Sequence, residues 1–257
     1  MRFSRVALYC PGHKREMFEK ALSSDADEVI LDLQDSVPSD QKEQALENVM
    51  RFLAEHDFTK KAIQVRPNPE RDKDFEALAS FGSKITLRVP QAEHPLGAFF
   101  ELGFQRIIPL IETAKGVVNM QQIAESPGTV MLAMGEADLV GDLSSSSHLM
   151  IDHIRAALII GSRAAELPRP MMSAWTKLSD QEGLLADCRA GLAMGFYGRT
   201  AIHPKQIPVI IAGFAASALE QQFSASMETL GPNGGVGLDV DGNMIDTAWL
   251  RRRNLNE

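Results

Sequence analysis

The sequence predicts one (β/α)8 TIM barrel with a C-terminal helical and lid extension, and three observations carry that expectation. Short apolar runs alternate with amphipathic stretches of helical period, which implies a parallel sheet. Eight such repeats fall within residues 1–206 of a 257-residue chain, a length suited to one barrel. Charged residues stand at the downstream ends of successive runs, where a parallel barrel keeps its functional side chains.

The runs are continuous rather than alternating, as expected for strands covered on both faces. They read, in order, Val6–Tyr9, Val29–Leu33, Ala62–Arg66, Ile85–Val89, Ile107–Ile111 and Val130–Met134. Met171–Ala174 and Thr200–His203 are weaker, being short and partly polar. Helical periodicity fills the gaps over Arg15–Leu22, Gln41–His56, Asp72–Phe81, Gly116–Glu125, Ile151–Glu166 and Asp180–Met194. An open doubly wound sheet is the alternative architecture. Such a sheet usually carries a Gly-rich dinucleotide turn after its first strand, and Cys10-Pro11-Gly12-His13-Lys14 is not one.

The segment 207–257 breaks the alternation. A helix is expected over Ile207–Leu230, then a Gly-rich hinge at Gly231–Gly237, then a polar tail from Leu238 to Asp246 that starts a last helix. A glycine hinge leading to a polar segment reads either as a lid or as a plain extension.

The formal charge of −8 argues against a nucleic-acid surface, and Arg251-Arg252-Arg253 reads as a solvated helix face. No run reaches the roughly 18 apolar residues that cross a bilayer, and the N-terminus lacks the apolar stretch of a signal peptide. A cytoplasmic location is expected. Cys10 and Cys188 have no metal or redox spacing and read as reduced core residues.

At the strand ends stand Asp32 to Asp35, Arg66, Arg88, Glu112 and Glu136 to Asp138. Glu112 and Asp138 follow consecutive strands, about 4.8 Å apart, so the two carboxylates can share one ion. Mg²⁺ suits them, since it takes one or two carboxylates and fills its other positions with water and substrate oxygens. The bland alternative pairs Glu112 with Arg66 or Arg88 as a salt bridge. Arg66 offers a planar fork for a substrate carboxylate or oxyanion, and Arg88 reads equally as structural. Asp32 and Asp35 fit either bonds to metal-bound waters or, for Asp35, a loop cap. His203 before Pro204 reads as structural more readily than as a base.

These motifs together resemble the citrate lyase β-subunit-like (HpcH/HpaI aldolase) family, a group of Mg²⁺-dependent C–C lyases that includes malyl-CoA and citramalyl-CoA lyases. The resemblance runs through Leu8–Gly12, Val29–Val37, Ile111–Val117, Gly135–Leu139, Gly195–Arg199, Ala201–Gln206 and Asp241–Asp246. It implies a barrel holding Mg²⁺ on Glu112 and Asp138, with substrate contacts from Arg66, Glu112 and Gly135. It also implies catalytic roles for Arg66, at the reacting carbonyl, and for Asp246, which reaches a neighbouring subunit's site in a homotrimer or hexamer. The implied reaction splits a carboxylate-bearing 3-hydroxyacyl-CoA into acetyl-CoA and a 2-keto acid, or runs in reverse. Arg199 and Lys205 then fit either nucleotide phosphates or solvent. This chain departs from the family's pattern at Gln34, where Glu is usual, at Pro67, where Asn is usual, and in the run Leu87–Glu93. A metal-dependent aldolase acting on free hydroxy-keto acids and an idle metabolite-binding barrel are the other two readings.

Overall fold

A computed structural model describes residues 4–215 together with 237–238 and 244–245. Eight parallel strands close into a barrel in sequence order: β1 (Val6–Pro11), β2 (Glu28–Asp32), β3 (Ala62–Arg66), β4 (Thr86–Val89), β5 (Ile107–Ile111), β6 (Ala133–Met134), β7 (Met171–Met172) and β8 (Gly198–Ala201). β8 pairs with β1 through Val6 and Arg199, Ala7 and Thr200, Leu8 and Ala201. The doubly wound alternative is thereby excluded.

Ten α-helices are described in this unit: α1 (Phe18–Leu22), α2 (Lys42–Glu55), α3 (Asp72–Ala79), α4 (Gly97–Glu101), α5 (Ala114–Val118), α6 (Met120–Ala124), α7 (Glu136–Asp142), α8 (His148–Ala164), α9 (Gln181–Met194) and α10 (Ile207–Gly213). The stretch expected as one helix over Gly116–Glu125 is two, meeting at Asn119. The short α4 and α7 have no periodic signal to announce them.

Strand periodicity sorts the side chains. Ala7, Ile30, Ile108, Leu110, Met131, Ala133 and Met171 pack together as one core, with Tyr9 and Val130 against it. Following Ile30 and Ile108 two and four residues on leads to Asp32 and Glu112, so the polar upper layer sits directly on this apolar floor.

β6 and β7 are shorter than expected. Thr129 bridges Ile107, yet Ala133 pairs with Leu110, so four steps on the β6 side face three on β5. The extra residue is a bulge that breaks the ladder before β6 resumes. Ahead of β7, Pro168 and Pro170 remove two backbone donors from the ladder.

The chain divides into two compact units, Phe3–Gly213 and the remainder with Phe214–Glu257. In the second unit Gly237–Leu238 and Met244–Ile245 form an antiparallel pair, where the start of a helix was expected. Asp246, the Gly231–Val236 part of the hinge and the Arg251–Arg253 run lie outside the described residues. Among the described residues no helix is long and apolar enough to cross a membrane.

Candidate active site

A cavity of about 410 Å³ opens at the C-terminal ends of the strands. Tyr9, Asp32, Asp35, Ser36, Arg66, Glu112, Gly135, Asp138, Ser173 and Thr200 supply its polar wall, and Leu110 and Met134 its apolar part. Ladder register explains who meets whom. Asp32 pairs with Arg66 across β2 and β3, and Ile111 pairs with Met134 across β5 and β6, which sets Glu112 beside Gly135.

Arg66 is consumed on its acidic side. Nε and Nη2 donate to Asp32 at 2.7 and 2.8 Å, and Nη1 reaches Asp35 at 3.0 Å. The guanidinium also lies over the Tyr9 ring at 4.8 Å. Asp32 further accepts from the backbone N–H groups of Gln34 and Ser36 and from Ser36 Oγ. Burial pushes the Asp32 carboxyl up, but Arg66 and Ser36 more than offset it and hold it below the ordinary range. Five donors fill the roughly four lone-pair sites of a carboxylate, so Asp32 has no capacity for a metal-bound water. That expectation is corrected; Asp32 orients Arg66. Asp35 is raised instead, by burial first, against the pull of Arg66.

Glu112 has a different setting. It is 2% exposed, and Oε1 accepts from the Gln91 backbone N–H at 2.7 Å. Gln91 has φ 48°, a left-handed conformation uncommon outside glycine, and this aims its N–H at the carboxylate. Among the described residues neither Glu112 nor Asp138 has an ion-pair partner. Burial drives the Glu112 carboxyl up to about 7, the Gln91 bond opposes this, and the Asp138 charge adds to it. The salt-bridge alternative therefore fails, because Arg66 faces Asp32 and Asp35. Arg88 donates to Tyr9 Oη at 3.1 Å and Gln64 Oε1 at 3.0 Å, does not line the cavity, and settles as structural.

Local sequence fixes both acids. Thr113 follows Glu112 and caps α5 by accepting from Gly116 N at 3.0 Å, so the chain turns into helix directly after the carboxylate. Gly135 permits close approach: a Cβ there would lie 2.6 Å from Glu112 Cβ. Asp138 sits in the first turn of α7.

Other candidates fall away. His203 Nδ1 accepts from Lys205 N at 3.1 Å, capping the turn that follows, and the ring does not line the cavity. Arg199 is 1% exposed and bonded to Asp187, so it reaches neither solvent nor a nucleotide. Cys10 and Cys188 are buried and free, their thiols raised to about 12 and about 11 chiefly by burial. Gln91, Ser36 and Ser173 carry no sequence signal, since two act through a loop backbone or a neighbouring carboxylate and the third meets its partner only in space.

A model of the HpcH/HpaI aldolase/citrate lyase family matches residues 5–96 and 101–204. The chain belongs to that family. A citrate lyase subunit beta-like protein of Mycobacterium tuberculosis is 30% identical over 95% of this chain and 90% of its own length. A (3S)-malyl-CoA thioesterase of Cereibacter sphaeroides is also 30% identical, over 96% of this chain and 90% of its own. The crystal structure of M. tuberculosis CitE with magnesium, acetoacetate and coenzyme A superposes with a TM-score of 0.80 at 28% identity, covering 98% of this chain and 96% of that one. In this member of the citrate lyase family, no group of three or more His, Cys, Asp or Glu side chains is arranged for a metal among the described residues. The donor set is a pair of cavity carboxylates with no ion-pair partner among the described residues. Two hard oxygens with open space beside them suit a cation that keeps several waters or substrate oxygens.

Proposed function

We propose that this chain is a Mg²⁺-dependent carbon–carbon lyase acting on a carboxylate-bearing 3-hydroxyacyl-CoA, with Glu112 and Asp138 as the metal ligands. One observation carries the reading: two cavity carboxylates, one of them buried, have no ion-pair partner among the described residues. The likeness to a relative crystallised with magnesium, acetoacetate and coenzyme A supports it.

Bound there, Mg²⁺ supplies Lewis acidity toward the hydroxyl and keto oxygens next to the substrate carboxylate. Of the five N–H donors of Arg66, three are taken by Asp32 and Asp35, which leaves two for substrate. In the lytic direction the hydroxyl gives up its proton to solvent water, the bond between the carbinol carbon and the thioester α-carbon breaks, and its electron pair moves onto the thioester oxygen. The two remaining Arg66 donors would serve that oxygen and stabilise its charge. Asp32 and Asp35 keep the guanidinium from swinging to Glu112, so positive charge stays where the enolate develops. Asp246 is the proposed donor to the enolate carbon, contributed by a neighbouring subunit of a homotrimer or hexamer.

Hydrolysis of the thioester is the second reading, favoured by the likeness to a (3S)-malyl-CoA thioesterase. A panel of citramalyl-, malyl- and citryl-CoA, assayed with Mg²⁺ and with EDTA, separates the two. Release of acetyl-CoA and a 2-keto acid, abolished by EDTA, supports the lyase; free CoA with an intact hydroxy acid supports hydrolysis. Turnover of free hydroxy-keto acids alone, or binding without turnover, overturns both.

A further inference from the structure

We infer that Arg155, on α8, is a positioning residue for the Glu112–Asp138 pair, anchoring the β6–α7 turn through Glu136 and so setting the affinity of the pair for a divalent cation. The inference rests on the metal reading above.

Glu136 and Asp138 stand two residues apart in the first turn of α7. Residues at that spacing point to different sides of a helix, about 200° apart at 100° per residue, so one cavity does not take both. Asp138 lines the cavity and Glu136 does not. A fork holds Glu136 on that other side: Arg155 Nε donates to Oε1 at 2.9 Å and Nη2 to Oε2 at 2.9 Å. The backbone is fixed too, since Glu136 N donates to Ser173 Oγ at 3.1 Å at the end of β7. Both halves of the residue that begins the turn are thus held, one by the helix layer and one by the barrel.

Arg155 is itself constrained. It is 7% exposed, and Nη1 and Nη2 also donate to Asp187 on α9 at 3.1 and 3.3 Å. Asp187 in turn bonds Arg199, on β8. The alternating row Glu136, Arg155, Asp187, Arg199 therefore runs from the metal-bearing turn through α8 and α9 to the barrel wall. A buried ion network costs desolvation and is weak evidence for stability in itself. Its position, ending two residues from the proposed ligand, fits orientation of a metal ligand by a partner outside the coordination sphere. Without the fork, the first turn of α7 loses its side-chain anchor, and the aim of Asp138 is no longer fixed.

The test is Mn²⁺ titration of the full chain, read by the spectroscopic signal of free Mn²⁺, for the unaltered protein, Arg155→Met, Arg155→Lys and Glu136→Gln. The expected result is one site in the unaltered protein and a roughly 10- to 100-fold weaker one in Arg155→Met. Arg155→Lys, which keeps the charge but not the fork, falls between, and Glu136→Gln shifts the same way by less. At saturating Mg²⁺ kcat returns to near the unaltered value, so the defect lies in metal affinity rather than in chemistry. If Arg155→Met does not fold, Glu136→Gln decides. Unshifted Mn²⁺ affinity in the folded variants, with only a lowered melting temperature, overturns the inference and makes the network a structural staple. No Mn²⁺ binding by the unaltered protein overturns the metal reading itself, and the inference with it.

Discussion

Two pairs of acids share the mouth of this barrel and differ in one respect. Asp32 and Asp35, at the end of β2, have a guanidinium between them; Glu112 and Asp138, at the ends of β5 and β6, have none. The consequence is opposite for the buried member of each pair. Asp32 is held below the ordinary carboxylate range, while Glu112 is driven up to about 7. One buried carboxylate is neutralised by the chain and its neighbour is not, and the proposed metal role of Glu112 rests on that difference. The side chains are of one chemical type, so what they face decides their role.

The largest expected effect breaks the bare pair. Glu112→Gln or Asp138→Asn should abolish Mg²⁺ binding and lower kcat/KM by about 10³-fold, on the order of 4 kcal/mol of barrier. Calorimetric Mg²⁺ titration and steady-state assay of the same preparations check it.

Stability sharpens the contrast. Arg66→Met leaves two carboxylates facing one another and should cost about 3–5 kcal/mol, read by denaturant unfolding. Glu112→Gln should do the reverse in the metal-free protein at pH 8. The folded value near 7 lies above the ordinary 4.5, so the folded state holds this proton more tightly. That contribution is fully present below pH 4.5 and is lost as pH rises through about 7. Above that, the bare carboxylate costs the native state on the order of 3 kcal/mol, which Gln removes. If both variants destabilise equally, the two pairs are not different in kind.

Gly135→Ala is a milder break. Its Cβ would meet Glu112, and displacing that carboxylate should weaken Mg²⁺ affinity roughly tenfold with the fold intact, measurable by the same titration. Within one unit of neutrality the pH dependence is no larger. Because Glu112 must lose its proton to bind the ion, Mg²⁺ affinity should fall by up to about tenfold for each pH unit below about 7, with matching proton uptake when the ion is removed.

Much of this arrangement is legible in the sequence. Buried parallel strands write themselves as unbroken apolar runs, so β3 and β5 can be read to the residue and β1, β2 and β4 nearly so. β6 reads too long because a bulge leaves hydrophobicity unchanged while breaking pairing. Glu112, Asp138 and Arg66 are visible because each closely follows or ends a run. Their partners are not. Arg66 finds Asp32 34 residues away, Glu112 finds a backbone N–H 21 away, and Arg155 reaches Glu136 across 19. Such pairings follow from barrel register and helix packing, which no local spacing encodes. The sequence suggests a contact to metal-bound water for Asp32 for the same reason: two of its five donors, those of Arg66, arrive only once β2 lies beside β3.

The most direct measurement of the central claim is anomalous diffraction from crystals soaked in Mn²⁺ and back-soaked in Mg²⁺. One peak is expected, at Glu112 and Asp138 and displaced by Mg²⁺, with Arg66 still bound to Asp32. Carboxylates turned onto Arg66 with no peak between them would contradict it.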